Sequence, residues 1–201
     1  MVLAALAYAF WDHRKQSNRL VTLFTPIAEA YGGSVKPATL LALPQLRFDH
    51  EGRNYFIGAM ANAGNRVSGS ASRPGFTGAF SFANVEIERD TGQDLNILRT
   101  DRLDRAAIRV IGSVSKTSLS TSGDSAFDSA FRIKSKDQAF VNHIVSPELR
   151  QMLLNSPQQR LEVNLKGSTI SVHIDDYVKS AAQLDEMIGI VTLLAKTCEA
   201  S

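Results

Sequence analysis

The chain has 201 residues, of which 44% are hydrophobic and 21% are charged, and its 22 Lys and Arg nearly balance its 20 Asp and Glu. These values are typical of one ordinary globular domain, and they exclude a disordered chain and a multi-span membrane protein. Acidic and basic residues alternate along the chain, so no nucleic-acid-binding surface is expected. The single cysteine, Cys198, excludes an internal disulfide framework.

The first eleven residues carry no charge, and a basic cluster of Arg14, Lys15 and Arg19 follows them closely. This apolar run is shorter than the roughly twenty residues that span a bilayer, and no Lys or Arg precedes it as in a signal peptide. Three interpretations stay open: the inner end of a membrane helix, an interfacial anchor, or a helix packed on the domain. In the first two, the basic cluster places the domain on the cytoplasmic side of a membrane. We therefore predict an apolar segment with a basic flank over 1–16, and one domain over 17–201 that is cytoplasmic or faces the cytoplasm.

A helix is predicted over 17–31. Its apolar residues recur at steps of three and four, the spacing of one helical face, and they are Leu20, Leu23, Phe24, Ile27, Ala28 and Tyr31. Gly32 and Gly33 are expected to end this helix in a left-handed C-cap. Pro26 predicts a kink or an early break within it.

The middle of the chain has the composition of strands separated by polar segments. Alternating apolar residues predict a hairpin over 45–60 with its turn at 50–52. Further strands are predicted at 76–82, 85–88, 95–98 and 108–111, and surface loops rich in Ser and Gly at 64–75 and 113–125. The aromatic residues of this region either enter the core or, under an incomplete cover, line a cavity for an apolar ligand; they are Tyr55, Phe56, Phe76, Phe80 and Phe82.

Two short helices are predicted in the last third of the chain, each from a helix-start signal. A strand over 131–135 runs into a capping box, Ser135 to Gln138, which opens the first helix. Ser146 followed by Pro147 opens the second, with serine as the N-cap and proline at the first helical position.

A hairpin and a long helix are predicted to complete the chain. The hairpin covers 161–174 and has one buried face, and Asp175 or Asp176 is expected to cap the helix. The apolar stripe of that helix consists of Val178, Ala181, Leu184, Ile188, Val191 and Leu194. Together these elements predict an α+β fold: a mainly antiparallel sheet packed against an N-terminal helix, two short helices and a long C-terminal helix.

Two segments of the last third, Phe127–Asp137 and Ser146–Leu154, contain the run Phe-Asp, Phe, Asp, Pro-Glu-Leu and Leu-Leu. This run resembles a bacterial family of membrane-anchored domains of unknown function, in which a membrane helix precedes a helix, a strand-rich region and the same pattern. The resemblance covers the C-terminal third and, in the order of elements, the rest of the chain. It implies a position close to a membrane, and it brings no catalytic residue with it.

Candidate ligand-binding residues are few. Because strand side chains alternate, His173 and Asp175 are expected on one face, where a carboxylate could orient an imidazole as a general base; the alternative is a polar outward face. Arg66 and Arg73 lie within the Gly- and Ser-rich segment 64–75 and are candidate ligands for an anion. No histidine lies at a metal-ligand spacing from another or from the cysteine, so neither a metal site nor a cofactor is predicted.

No acid–base, nucleophile or nucleotide-binding pattern is identifiable, so the sequence favours a non-catalytic domain. Our first hypothesis is a membrane-proximal domain that binds a protein partner or a second copy of itself, with residues 1–16 in contact with the membrane. A second hypothesis is a small-molecule or lipid-binding domain with a pocket between the sheet and the C-terminal helix. A third and weaker one is a hydrolase that uses His173 and Asp175.

Overall fold

The structure is a computed structural model that describes residues 2–39, 42–62, 78–102 and 119–200. In chain order its elements are α1 (Val2–Tyr31), β1 (Ser34–Lys36), β2 (Gln45–His50), β3 (Arg53–Asn62), β4 (Gly78–Glu86), β5 (Asp94–Arg99), β6 (Leu119–Ser120), α2 (Ser125–Ala130), β7 (Phe131–Lys134), α3 (Gln138–Ile144), α4 (Pro147–Asn155), β8 (Leu161–Lys166), β9 (Thr169–Asp175) and α5 (Ala181–Glu199). The predicted loop at 64–75 and the predicted strand at 108–111 lie outside the described residues.

The described strands form one sheet of nine, in the order β1, β2, β3, β4, β9, β8, β5, β7, β6. Every pairing between these strands is antiparallel. The hairpin of β8 and β9 is inserted between β4 and β5, which are neighbours in sequence but not in the sheet. The predicted α+β fold is confirmed, and β5 matches its prediction. Two details of the strands differ: those predicted at 76–82 and 85–88 are one strand, β4, and part of the segment predicted as a loop at 113–125 is the short strand β6.

All the described helices pack on one face of this sheet. Helix α1 lies against β1 and β2, and α5 lies against β4 and β9. The buried apolar side chains of α1 to α5 form a single cluster with the inward-facing residues of the strands. Each fully buried leucine, isoleucine or phenylalanine in this cluster contributes about 1.5–3 kcal/mol relative to exposure, so the cluster accounts for most of the drive to fold.

Helix α1 is continuous through Pro26, so the predicted early break does not occur. Pro26 is exposed, whereas Leu20, Phe24 and Ala28 on the opposite side are buried in the core. The packing of that face outweighs the single helical hydrogen bond that a proline removes. The predicted C-cap is confirmed: Gly32 has a φ of 63° and the N–H of the next residue donates to the Ala28 carbonyl at 2.7 Å.

The two short helices begin with different caps. Ser146 is the N-cap of α4, as predicted, and its Oγ accepts from the Leu149 N–H at 3.2 Å. The predicted capping box of α3 is wrong, because Asp137 is the N-cap and its carboxylate accepts from the Phe140 N–H at 3.1 Å. Ser135 instead accepts from the Asp137 N–H at 3.4 Å and so forms the turn before the helix.

The prediction that Asp175 or Asp176 caps α5 is also wrong. Asp175 is the last residue of β9, and Asp176 has a φ of 68° and accepts from the N–H of the next residue at 2.8 Å. Ser180 is the N-cap, so of the predicted stripe Val178 is buried in the connection and Ala181 is exposed at the helix start. The other four members of the stripe are buried as predicted.

Strand β9 departs from the predicted hairpin with one buried face. Its central residues are buried on both faces, including Ser171 and His173, which point away from the helices. A central strand such as β9 lies between two other strands, and the side chains of those strands help to cover both of its faces. This second face of β9 is where the polar and aromatic residues described next converge.

Candidate functional site

The face of the sheet on which none of the described helices packs carries a long groove; we call it the helix-free face. Two adjoining depressions of about 640 and 630 Å³ form the groove, and they share Asn84 and Thr169. The first lies over β1 to β4 and the second over β4, β9, β8, β5 and the end of β7. With strands about 4.8 Å apart, such a groove extends over roughly 30 Å, enough for an elongated ligand.

A row of amide and hydroxyl side chains crosses the floor of the groove from strand to strand. Asn84 on β4 pairs in register with Ser171 on β9, which pairs with Asn164 on β8, which pairs with Asn96 on β5. The register extends the same row to Phe56 on β3. We call Asn84, Ser171, Asn164 and Asn96 the amide row.

Two atoms of the amide row are buried without a hydrogen-bond partner among the described residues: Asn84 Oδ1, an acceptor, and Asn164 Nδ2, a donor. The Asn96 amide, in contrast, has hydrogen-bond partners: its Nδ2 donates to Asn164 Oδ1 at 2.6 Å and to Glu162 Oε1 at 2.7 Å. A buried polar atom without a partner costs about 1–3 kcal/mol, and native proteins hold few of them. Such atoms at the floor of a groove are suited to binding the polar groups of a ligand.

An aromatic cluster lies beside the amide row on the same face. Phe56, Phe80 and Phe82 form a small hydrophobic group separate from the main core. Phe56 and Phe82 have ring centroids 5.3 Å apart, and the His173 ring lies 5.9 Å from Phe80 and 6.3 Å from Phe82. Phe56 is half-buried, and Met60, the register partner of Phe80, is 42% exposed.

The sequence left open whether the aromatic residues of this region enter the core. Tyr55 enters it, whereas Phe56, Phe80 and Phe82 form the separate aromatic cluster, and Phe76 lies outside the described residues. The reason is strand alternation: Tyr55 and Phe56 are consecutive residues of β3 and so face opposite sides of the sheet.

The charges around the groove differ between its ends. Lys134, Lys136 and Lys166 line the end over β5, β7 and β8, together with the single acid Asp94. None of these three lysines forms an ion pair with a described residue. The other end, over β1 to β4, is lined by Arg47, Asp49 and Glu86, and the Arg47 guanidinium lies 4.9 Å from the centre of the Phe56 ring. The groove is therefore partly cationic at one end, and at the other it carries charges of both signs around an aromatic ring.

Of the four residues predicted to bind a ligand, His173 and Asp175 lie in the described part of the chain, both on β9. His173 lines the groove, beside the rings of Phe80 and Phe82. Asp175 does not line the groove, and its carboxylate lies 3.8 Å from the Arg160 guanidinium. Burial raises the pKa of Asp175, and the nearby arginine offsets only part of that rise. Arg66 and Arg73 lie outside the described residues.

The predicted pocket between the sheet and the C-terminal helix is replaced by core. Leu184, Ile188 and Val191 of α5 are buried against the inward face of the sheet and fill that interface. The groove on the opposite face was missed by the sequence analysis. Its asparagines stand at outward positions of three strands, and the one available signal was that those positions carry amides where charged side chains are usual.

Other reactive groups offer little chemistry. Burial raises the pKa of the Cys198 thiol to about 11, so this thiol stays protonated at neutral pH and is a poor nucleophile. Within the described ranges, no three His, Cys, Asp or Glu side chains converge as metal ligands. None of the helices in the described part of the chain is long and apolar enough to span a membrane.

Comparison with known proteins extends this description at the level of the fold. No protein-family model and no curated protein sequence matches the chain. A similar solved structure is the crystal structure of the mycobacterial trehalose monomycolate transport factor A, with a TM-score of 0.58 and 12% sequence identity. The match covers 92% of this chain and 94% of that chain. At this identity the likeness shows that the two chains share a fold along nearly their whole lengths.

Proposed function

We propose that the chain is a non-catalytic binding domain that holds an amphipathic molecule, such as a lipid, in the groove of the helix-free face. The observation that carries the proposal is the position of the amide row directly beside the aromatic cluster. A polar head group needs hydrogen-bonding partners, and a hydrocarbon part needs apolar surface. The amide row lines the groove and supplies the first, and Phe56, which lines the groove next to Asn84, supplies the second.

The protein of similar fold supports this choice of ligand class. It is named as a mycobacterial trehalose monomycolate transport factor. A domain of the same shape with a groove of mixed polarity is suited to a ligand of that general type. The amide row favours binding over catalysis, because asparagine and serine side chains do not act as acids or bases near neutral pH.

The test uses n-dodecyl β-maltoside below its micellar concentration and the purified chain. We expect the NMR signals of the Asn84, Asn96 and Asn164 side-chain amides to shift as the maltoside is added, with saturable binding. Phe56→Ser removes half-buried aromatic surface from the groove and should weaken binding about tenfold, the effect of losing roughly 1.4 kcal/mol of apolar contact.

The matched control is Phe10→Ser, which removes an aromatic ring that is 55% exposed on α1 and remote from the groove. This variant should bind the maltoside as tightly as the unchanged chain. Shifts confined to residues outside the groove, or equal effects of the two serine variants, would contradict the proposal.

A second candidate function, contact with a membrane surface, is favoured by one observation on α1. Tyr8, Phe10 and Trp11 are 68%, 55% and 57% exposed, and the Lys15 ammonium lies 5.1 Å from the centre of the Trp11 ring. Aromatic residues next to basic ones are typical of helices that rest at the interface of an anionic bilayer. The domain would then lie on the cytoplasmic face, where anionic lipids are found.

Flotation with vesicles tests this second function. The chain should float with vesicles of phosphatidylcholine and phosphatidylserine, and salt should reduce the bound fraction because it screens the basic residues. Phe10→Ser should lower the bound fraction severalfold, whereas Phe56→Ser should leave it unchanged. Equal flotation of Phe10→Ser and the unchanged chain would exclude an anchoring role for α1.

A further inference from the structure

The chemistry of the amide row specifies the polar end of the ligand more narrowly than the groove as a whole. Asn84 Oδ1 is a buried acceptor and Asn164 Nδ2 a buried donor, each without a hydrogen-bond partner among the described residues. Ser171 lies between them in the register, so the two asparagines are two strands apart, about 10 Å at their Cα atoms. A polar group that satisfies both atoms must donate on one side and accept on the other.

A hydroxyl group does both, because it carries one O–H donor and two acceptor lone pairs. Phosphate, sulfate and carboxylate groups in their ionised forms only accept hydrogen bonds, so they would satisfy Asn164 Nδ2 and leave Asn84 Oδ1 buried and unpaired. A trimethylammonium group forms no hydrogen bond at all. Several hydroxyls carried on one sugar head group therefore supply a donor for Asn84 Oδ1 and an acceptor for Asn164 Nδ2.

We propose that the head group of the ligand is a neutral sugar, held between Asn84 and Asn164, with the hydrocarbon part directed over Phe56. This inference rests on the proposed amphiphile binding and adds the identity of the head group. The hydrocarbon part is placed over Phe56 because Phe56 is the register partner of Asn84 on the side away from Asn164. The lysines at the opposite end make an anionic head group the competing possibility, which the experiment must distinguish.

The experiment measures the affinity of the full chain for three amphiphiles of one chain length: dodecyl maltoside, dodecylphosphocholine and dodecyl sulfate. We expect the maltoside to bind at least about tenfold more tightly than the other two, because only its head group can satisfy both buried atoms. Equal affinities would overturn the head-group inference while leaving amphiphile binding intact. Preference for the sulfate would overturn it in favour of the lysines, and failure of all three to bind would overturn the proposed function itself.

Isosteric variants then test the two amides separately. Asn164→Asp replaces the donor by an acceptor and should remove the tenfold preference for the maltoside, whereas Asn84→Asp keeps an acceptor and should retain that preference. Asn155→Asp, at an exposed position of α4, is the control for the added charge and should change nothing. Asn164→Ala, which also removes the donor, repeats the test if the aspartate variant does not fold, as judged by its thermal unfolding. The same response of both groove variants to the maltoside would overturn the assignment.

Free maltose is the last arm and separates a sugar from a sugar-headed lipid. Because Phe56 contacts only the hydrocarbon part, maltose should bind at least about tenfold more weakly than dodecyl maltoside. Equal binding of the two would keep the sugar site and overturn its assignment to an amphipathic ligand.

Discussion

Replacing Arg99 by methionine should lower the free energy of unfolding by about 3–5 kcal/mol, because the guanidinium satisfies a set of buried backbone acceptors. Arg99 is the last residue of β5 and is 1% exposed. Its Nη1 donates to the carbonyls of Ser156 and Gln158 at 2.7 and 3.1 Å, and its Nη2 donates to the Leu154 carbonyl at 3.2 Å. These carbonyls belong to the end of α4 and the turn after it, where helical partners run out. Methionine keeps much of the volume but donates no hydrogen bond.

The control for this prediction is Arg102→Met in the same connection. The Arg102 side chain also donates to a carbonyl, that of Pro157 at 2.9 Å, but it is exposed, so water replaces the lost bond. Its loss should cost about 0.5 kcal/mol or less. Arg99→Lys should fall between the two, because lysine keeps the charge but not the planar fork that reaches three carbonyls. Urea unfolding measures all three, and equal costs for Arg99→Met and Arg102→Met would show that burial of the carbonyls is not the cause.

Replacing Gly33 by alanine should destabilise the chain by about 2–3 kcal/mol, because the new methyl group has no room. A Cβ at this position would lie 2.4 Å from the Arg47 carbonyl oxygen and 2.6 Å from the Phe48 Cβ. Both atoms belong to β2, whose backbone is held in the sheet on one side by β1 and on the other by β3. The connection between α1 and the sheet must shift to admit the methyl group, and the packing of Phe48 in the core is lost with that shift.

The matched substitution Gly189→Ala should have the opposite sign. Gly189 lies within α5, and the nearest atom to an added Cβ is the Met152 Cε, at an ordinary contact distance of 3.9 Å. Alanine is the better helix former, so this variant should be more stable by about 0.5–1 kcal/mol. Thermal unfolding of the two variants side by side provides the measurement. A change of the same sign in both would mean that the close approach at Gly33 does not determine its effect.

The sequence predicted the elements whose signals are contained within a few residues. The hairpin over 161–174 follows from strict alternation on both sides of a tight turn, and the start of α4 follows from Ser146 and Pro147. The C-cap at Gly32 is equally local. Before α3 the spacing of a capping box pointed to Ser135, but Asp137 is the residue whose side chain reaches a free N–H group, so spacing alone did not decide the cap.

The candidate site was not predictable in the same way, because its parts come from strands that are distant in sequence. Asn96 and Asn164 alternate with apolar residues of predicted strands, whereas Asn84 lies between the two strands predicted at 76–82 and 85–88. Nothing in the sequence indicated that the three side chains are neighbours. Their meeting depends on the insertion of β8 and β9 between β4 and β5, which is a long-range pairing. The position of the aromatic cluster on the same face depends on the same pairing.

The sequence by itself therefore determined the fold class, the alternation within the hairpins, the end of α1 and the start of α4, because periodicity and capping act over three or four residues. Only the tertiary structure decided which outward-facing side chains become neighbours and which of their atoms are left without partners. Strand order and register bring together residues that no local rule connects, and in this chain they place a row of amides beside phenylalanine rings on one face of the sheet.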